Sequence, residues 1–279
     1  MFPLSLKLRF VVLGALVAAT GISLSFPPLR SLVASAHGWR CLGRPATIVG
    51  HGKIHGTSHA DVIFGSASRD HILGRGGNDR ICAGGGDDTV EGGVGSDRID
   101  SGGGDDEVVG GNGSDLVLVG AGTDTVFGEP GNDRLYGGPG PDDYLYSGPG
   151  DDSVVDGGPG NGDVLEGDLG TDTLDGGPGA HDIASYALAG QTAVFTGGIG
   201  VDVGLAAGTG SGDGEDRLSG IEDVAGTPFA DTLAGDAEPN ELYGGAGPDG
   251  LIGAGTADAA FGGTGLDLCR GWRAPNRAS

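Results

Sequence analysis

A single apolar residue returns every nine positions along much of the chain, and a glycine-rich stretch separates each one from the next. Three residues centred on each apolar position are long enough for one short β-strand whose middle side chain faces inward. The six residues before each strand are rich in glycine, which predicts a turn with positive φ angles. The apolar positions of the regular part are Ile63, Ile72, Ile81, Val90, Ile99, Val108, Val117, Val126, Leu135 and Tyr144.

An aspartate precedes each of these apolar residues by two positions, at the end of the turn. Glycines fill the positions before it, as in residues 92–97, Gly-Gly-Val-Gly-Ser-Asp. The first two turns are degenerate, with His59 and Ser68 where a glycine belongs, so we expect them to bind metal poorly. Ten aspartates in strict register are far beyond chance: Asp61, Asp70, Asp79, Asp88, Asp97, Asp106, Asp115, Asp124, Asp133 and Asp142.

A second period, of eighteen residues, is superimposed on the period of nine. Alternate turns begin with glycine, whereas the turns between them begin with Ala83, Ser101, Val119 and then Gly137. On one of the two alternating series, an arginine follows the aspartate, and Leu116 interrupts this row. The arginines are Arg80, Arg98 and Arg134. We infer that two nonapeptides form one coil and that stacked neighbours are eighteen residues apart.

The nonapeptide G-G-x-G-x-D-x-U-x, in which U is apolar, resembles the repeat of the RTX (haemolysin-type calcium-binding) family. The resemblance implies an all-β fold, a parallel β-roll or β-helix solenoid with two repeats per coil. It also implies Ca²⁺ as the cofactor, several ions being held by the sixth-position aspartates and by carbonyls of the turn glycines. Calcium takes six to eight oxygen ligands, more than one turn offers, so two stacked turns would complete each shell between them.

The candidate ligands follow from matching this repeat to the chain. The candidate carboxylates are Asp79, Asp88, Asp97, Asp106, Asp115, Asp124, Asp133, Asp142, Asp152, Asp163, Asp172, Asp182, Asp249, Asp258 and Asp267. The candidate carbonyls are those of Gly92, Gly93, Gly95, Gly110, Gly111, Gly113, Gly137, Gly138, Gly140, Gly244, Gly245 and Gly247. For any one aspartate alone, a solvated turn residue that caps backbone amides is the simpler interpretation. The stacked array reverses that preference.

The repeats divide the chain into segments. Along the chain we expect a signal peptide (1–36), an N-terminal cap (37–55), a first array (56–182), an insert of wider β rungs (183–225), a second array (226–271) and a tail (272–279). The nine-residue spacing slips after Asp142, where we place extra residues at Tyr146, Gly162 and His181. Alternation in the insert predicts two longer strands, around 193–195 and 201–205.

The first residues are typical of a secretory signal peptide. Lys7 and Arg9 precede an apolar run at 10–26, and the small residues of 34–36 form a cleavage site. Seventeen apolar residues are at the short limit for crossing a membrane. We therefore expect a secreted, extracellular protein that has no membrane span after cleavage.

The net negative charge of the chain limits the kinds of partner that it can bind. The chain contains 63 glycines and carries a net charge of −24, and loss of residues 1–36 would leave 12 basic residues against 39 acidic ones, or −27. Such a surface repels the phosphates of nucleic acid, so we expect no nucleic-acid partner. Multivalent cations are the natural partners of this charge.

Three cysteines in an exported chain permit one disulfide. A bond between Cys41 and Cys82 would fasten the cap to an early rung, and we favour that pair. Cys269 falls at an inward apolar position, where we expect it to be buried and unpaired.

Three functions remain open at this point. The first is a calcium-binding module that folds on binding Ca²⁺. The second is an extracellular adhesive module that binds cell-surface glycan or matrix through residues 183–225. The third is a β-helix polysaccharide-active enzyme, but the chain contains neither H-E-x-x-H nor G-x-S-x-G, so we expect no enzymatic activity.

Overall fold

A computed structural model describes residues 39–187, 200–211, 214–255 and 257–271. These residues form 27 short strands and one 3-10 turn, Leu205–Ala207. No helix among the described residues is long and apolar enough to cross a membrane. The expected signal peptide lies outside the described residues.

Two parallel sheets form the fold, beside a small antiparallel hairpin of β1 (Arg40–Cys41) and β2 (Arg44–Pro45). The first sheet contains β3 (Ile48–Val49), β5 (Val62–Ser66), β7 (Arg80–Gly85), β9 (Arg98–Gly103), β11 (Leu116–Ala121), β13 (Arg134–Tyr136), β15 (Val154–Asp156), β17 (Thr173–Asp175), β19 (Asp202–Gly204), β20 (Thr209–Ser211), β21 (Glu215–Ser219), β23 (Thr232–Ala234), β25 (Gly250–Ile252) and β27 (Leu268–Arg270). The second sheet contains β4 (Lys53–His55), β6 (His71–Gly76), β8 (Thr89–Val94), β10 (Glu107–Asn112), β12 (Thr125–Phe127), β14 (Tyr144–Tyr146), β16 (Val164–Glu166), β18 (Ile183–Ser185), β22 (Asp223–Ala225), β24 (Glu241–Tyr243) and β26 (Ala259–Phe261).

Successive strands alternate between the two sheets, so each pair of repeats makes one coil. In the first sheet Ile63 pairs with Ile81, and Ile81 pairs with Ile99, each eighteen residues further along. The pairing is parallel throughout the regular repeats, apart from the local insert described below. The predicted all-β parallel solenoid with two repeats per coil is confirmed.

One aliphatic side chain from most strands fills the space between the two sheets, and the longer strands β7 and β11 add a second, Ala83 and Val119. Ile81, Ile99 and Val117 from one sheet and Val90 and Val108 from the other are fully buried. Complete burial of such a side chain contributes about 1.5–3 kcal/mol. This core is narrow, because most three-residue strands bury only their middle side chain.

The register changes near residue 144 differ from the sequence-based prediction. Thr125 pairs with Tyr144 and Val126 with Leu145, so the spacing there is nineteen. Leu145, fully buried, occupies the inward position that we assigned to Tyr144, whose side chain is 38% exposed. The prediction for Tyr144 is therefore wrong, because the extra residue lies in the turn before the strand rather than at Tyr146 after it.

Among the described residues, the insert interrupts the first sheet and leaves the second continuous. In the second sheet β18 pairs directly with β22. In the first sheet β20 lies antiparallel between β19 and β21. The strand at Asp202–Gly204 has three residues, fewer than the alternation predicts, because the 3-10 turn follows at once. The strand expected at 193–195 lies outside the described residues.

The N-terminal cap is fastened to the first coils. Cys41 and Cys82 form a disulfide, the pair that the sequence favours, and Trp39 contacts Phe64 with ring centroids 4.9 Å apart. At the other end, Cys269 pairs in register with Leu251 but is exposed. The expectation that Cys269 is buried is wrong, because β27 is the last strand of the described residues and no described rung lies over it.

Candidate metal centre

The aspartates at the end of the turns connect consecutive rungs. The backbone N–H of Asp97 donates to Oδ1 of Asp115 at 2.7 Å, and the N–H of Asp115 donates to Oδ1 of Asp133 at 2.8 Å. On the opposite edge of the solenoid, Asp88 and Asp106 are connected in the same way at 2.8 Å. We call the two resulting rows the aspartate ladders. Their members are Asp61, Asp79, Asp97, Asp115, Asp133, Asp152, Asp172 and Asp216 on one edge, and Asp70, Asp88, Asp106, Asp124, Asp143, Asp163 and Asp182 on the other.

One predicted ligand of the first array does not lie in these ladders. The N–H of Asp124 donates to Oδ1 of Asp143 at 2.8 Å, and Asp143 is fully buried. Asp142 is exposed, with a left-handed φ of 56°. The prediction that Asp142 ends this turn is wrong, because the turn from Gly137 contains one residue more than the turns before it.

The second carboxylate oxygen of most ladder aspartates is buried without a hydrogen-bond partner. Oδ1 accepts the amide of the preceding rung, whereas Oδ2 is sealed inside the turn. An unsatisfied buried charge is costly unless a cation or proton compensates it. The aspartates with this orphaned Oδ2 include Asp79, Asp88, Asp97, Asp115, Asp124, Asp133, Asp143, Asp163, Asp182 and Asp249.

Oxygen atoms from two rungs converge at these orphaned groups. A Cβ added to Gly92 would lie 2.7 Å from Oδ2 of Asp97 and 2.5 Å from the carbonyl oxygen of Gly110 on the next rung. A Cβ added to Gly110 would lie 2.8 Å from Oδ2 of Asp115 and 3.0 Å from the carbonyl oxygen of Gly128. The first glycine of the turn therefore leaves open a small space that a carboxylate and a carbonyl of adjacent rungs face together. Carboxylate and carbonyl oxygens are the ligands that Ca²⁺ prefers.

The degenerate turns satisfy the same oxygen internally. Thr57 donates to Oδ2 of Asp61 from its backbone N–H at 2.7 Å and from its hydroxyl at 2.9 Å. Ser66 donates both bonds to Asp70 at the same two distances. We call these closed turns, in contrast to the open turns with an orphaned oxygen. A hydroxyl residue at the second turn position thus replaces what a cation would supply.

The second array contains both kinds of turn. Asp249 has an orphaned Oδ2, as in the first array. Thr227 donates its N–H to Oδ2 of Asp231 at 2.8 Å, which closes that turn. Asp258 accepts the N–H of Gly255 at 3.0 Å, and Asp267 accepts the N–H of Asp249 at 3.2 Å.

Burial disfavours the ionised form of the ladder carboxylates and so raises their pKa. Desolvation raises the pKa of Asp115 to about 7 and that of Asp133 to about 8, and the charge of neighbouring ladder aspartates acts in the same direction. The amide hydrogen bond from the preceding rung opposes the rise only in part. For Asp106 and Asp152, burial again raises the pKa, while a hydrogen bond from Ser101 or Ser147 lowers it.

The ladders include one residue of the insert, where we predicted no aspartate ligand. The N–H of Asp172 donates to Oδ1 of Asp216 at 3.0 Å, and the hydroxyl of Tyr186 donates to Oδ2 of Asp216 at 3.1 Å. Asp216 nevertheless ends a hexapeptide of the repeat type, because residues 211–216 read Ser-Gly-Asp-Gly-Glu-Asp, with glycine at the second and fourth turn positions. Leu218 follows two residues later and is buried, as the apolar residue of a repeat is. The sequence therefore contains the signal that places Asp216 in the ladder.

The metal-binding capacity of the turns does not come from side chains alone. Among the described residues, no three His, Cys, Asp or Glu side chains converge on one point. The four histidines at 51, 55, 59 and 71, whose spacing invites a zinc interpretation, therefore form no such cluster. A cation in an open turn would therefore need backbone carbonyls in addition to one carboxylate from each rung.

Comparison with known families agrees with this geometry. A model of the RTX calcium-binding nonapeptide repeat, which comprises four copies, matches the chain six times, and the matches together span more than half of its residues. They cover residues 55–90, 83–117, 109–142, 118–154, 154–180 and 225–260. No curated protein matches the chain.

Proposed function

The chain belongs to the RTX calcium-binding nonapeptide repeat family, and on that premise we propose that it is a secreted protein whose solenoid folds when Ca²⁺ binds between stacked turns. Calcium binding itself follows from the family. Folding on binding, secretion and the identity of the ligands are the parts that we propose. Asp79, Asp97, Asp115 and Asp133 on one edge, with Asp88, Asp124 and Asp143 on the other, are the proposed carboxylate ligands of the first array.

The observation that carries this proposal is the orphaned, buried Oδ2 of the open turns. Each ladder stacks like charges on adjacent rungs, and repulsion between them opposes folding. The core offsets this with only one or two small apolar residues per strand. When bound, Ca²⁺ supplies positive charge and accepts six to eight oxygen ligands.

The chain's own residues would provide the connection between rungs. Oδ2 of Asp97 and the carbonyl oxygen of Gly110 face one space although they belong to neighbouring coils. A ligand that binds both therefore stabilises only the stacked arrangement and leaves the unfolded chain unaffected. Binding to the folded state alone shifts the folding equilibrium toward that state.

Secretion is supported by two features of the chain. The basic, apolar and small-residue pattern of residues 1–36 is typical of a signal peptide. The disulfide between Cys41 and Cys82 is of a kind that persists in oxidising compartments outside the cytosol. Extracellular calcium would then be available only after export. We propose no catalytic activity, because the matching family model describes a calcium-binding repeat.

Hydrogen exchange at the ladder amides tests the proposal directly. The N–H groups of Asp79, Asp97 and Asp115 donate to carboxylates of the next rung. The protein to be measured is the chain without the expected signal peptide, residues 37–279. We expect these amides to exchange at the rates of an unfolded chain in excess chelator and to become strongly protected in millimolar Ca²⁺. Strong protection in both conditions would contradict calcium-dependent folding.

A further inference from the structure

An arginine row on the first sheet takes no part in the calcium sites. Arg80 pairs in register with Arg98, Arg98 with Leu116, and Leu116 with Arg134. Neighbouring strands are about 4.8 Å apart, so three guanidinium groups repeat along the solenoid axis with one gap at Leu116. The row lies in a groove of about 630 Å³.

These arginines lack acidic partners in a strongly acidic protein. Within the described ranges, the ion pairs are Arg69 with Asp87 and His181 with Asp223, and neither involves the row. Arg80 donates one bond to the carbonyl of Leu42 at 3.1 Å, and Arg134 donates one to Ser153 at 3.0 Å. A guanidinium has five N–H donors, so most of the donor capacity of the row faces the groove.

A second row of neutral polar side chains runs beside the arginines. It comes from the fifth turn position, and its members contact one another, as where the N–H of Ser96 donates to Asn78 at 3.1 Å. Asp151 is the exposed acid at one end of the groove. The row consists of Asn78, Ser96, Ser114 and Asn132.

We infer that this groove binds a linear polysaccharide that bears carboxylate groups. A guanidinium pairs with a carboxylate through two parallel hydrogen bonds, and repeated guanidinium groups suit a polymer with a repeating anion. The amide and hydroxyl row offers donors and acceptors for sugar hydroxyls. No aromatic residue lines the groove among the described residues, which disfavours single-stranded nucleic acid, whose bases need stacking platforms. Leu116 alone supplies too little apolar surface to anchor a peptide.

This inference rests on the proposed function, because the rows align only in the folded, calcium-loaded solenoid. The ladder aspartates Asp79, Asp97 and Asp115 also line the groove, and calcium would neutralise them in that state. Binding of the acidic polymer should therefore require calcium.

Titration calorimetry with a short galacturonic acid oligosaccharide in excess Ca²⁺ tests the inference. The methyl-esterified oligosaccharide is the matched neutral ligand, and polyglutamate and single-stranded DNA of equal charge test for bulk electrostatics. We expect binding of the acid form alone, weakened about tenfold in the triple variant R80Q/R98Q/R134Q. The charge-matched control R44Q/R75Q/R217Q alters arginines outside the groove and should bind like the parent chain.

If the triple variant folds poorly, its weak binding says nothing about the groove. A variant that should bind more tightly avoids this problem. Leu116→Arg fills the gap in the row and should tighten binding. Absence of binding by the parent, equal weakening in both triple variants, equally tight binding of polyglutamate or DNA, or no gain from Leu116→Arg would each overturn the inference. Circular dichroism in calcium separates the two proposals, since a folded parent that does not bind refutes only the groove.

Discussion

The amide of Asp97 donates to one oxygen of Asp115 on the next rung at 2.7 Å, while the other oxygen of Asp115 is buried without a partner. This pair contains both features on which the account depends. The satisfied oxygen sets the register of the rungs, and the unsatisfied oxygen makes the stacked state unfavourable until positive charge reaches it.

Removing one charge from an open turn should weaken calcium-dependent folding much more than removing one from a closed turn. Asp115→Asn keeps an acceptor for the amide of Asp97 but loses the negative charge at Oδ2. We expect it to raise the calcium midpoint of folding about threefold or more, because affinity depends on the charge of the ligands. Calcium titration followed by circular dichroism measures the midpoint.

Asp61→Asn is the matched control for that change. Thr57 already satisfies Oδ2 of Asp61 with two hydrogen bonds. The calcium midpoint of Asp61→Asn should therefore stay close to that of the parent. Equal midpoints for the two variants would mean that open and closed turns do not differ in their need for calcium.

Close stacking of the turns predicts a difference between two glycines. A Cβ at Gly111, where φ is +106°, would lie 2.1 Å from the carbonyl oxygen of Gly93 on the preceding rung. Gly111→Ala should therefore destabilise the calcium-loaded protein by more than about 1 kcal/mol in urea unfolding. A Cβ at Gly103 would meet nothing closer than 3.7 Å, so Gly103→Ala should be tolerated. The geometry is wrong if the two variants unfold at the same urea concentration.

Protons should replace calcium in part. Burial raises the pKa of Asp115 to about 7 and that of Asp133 to about 8, from an ordinary value of 3.8. Between pH 4 and 8 the folded, calcium-free state then binds more protons than the unfolded chain, so its stability falls as the pH rises through this window. In calcium-free buffer we expect more β structure by circular dichroism at about pH 5 than at about pH 8.

The double variant Asp115→Asn/Asp133→Asn is the control for the pH effect. It removes two of the groups that titrate in this window, so the difference between the two pH values should shrink. A calcium-free parent with more β structure at pH 8 than at pH 5 would contradict the assigned direction.

The regular coils could be predicted from the sequence because one rule specifies them. Ile81 and Ile99 occupy equivalent positions eighteen residues apart, and the alternation of turn chemistry distinguishes nine from eighteen. The position of Asp143 could not be predicted in the same way. Two adjacent aspartates can each end a lengthened turn, and contacts of the folded chain decide between them, namely the pairing of Val126 with Leu145 and the hydrogen bond from Asp124 to Asp143.

Several features that the prediction lacks have a signal in the sequence. Asp216 ends the hexapeptide Ser-Gly-Asp-Gly-Glu-Asp of residues 211–216, although it joins its ladder across forty-four residues and an antiparallel insert. The closed turns could have been recognised from Thr57, Ser66 and Thr227, since a hydroxyl at the second turn position is visible in the sequence. The exposure of Cys269 follows from its place on the last described strand.

The central claim is that the stacked aspartates keep the chain unfolded until calcium binds. Far-ultraviolet circular dichroism of residues 37–279 during a Ca²⁺ titration, with Mg²⁺ as the comparison ion, tests it most directly. We expect a largely disordered chain in excess chelator, a cooperative gain of β structure in millimolar Ca²⁺, and little gain with Mg²⁺, which requires tight octahedral geometry. A full β spectrum in excess chelator at about pH 8 would contradict it.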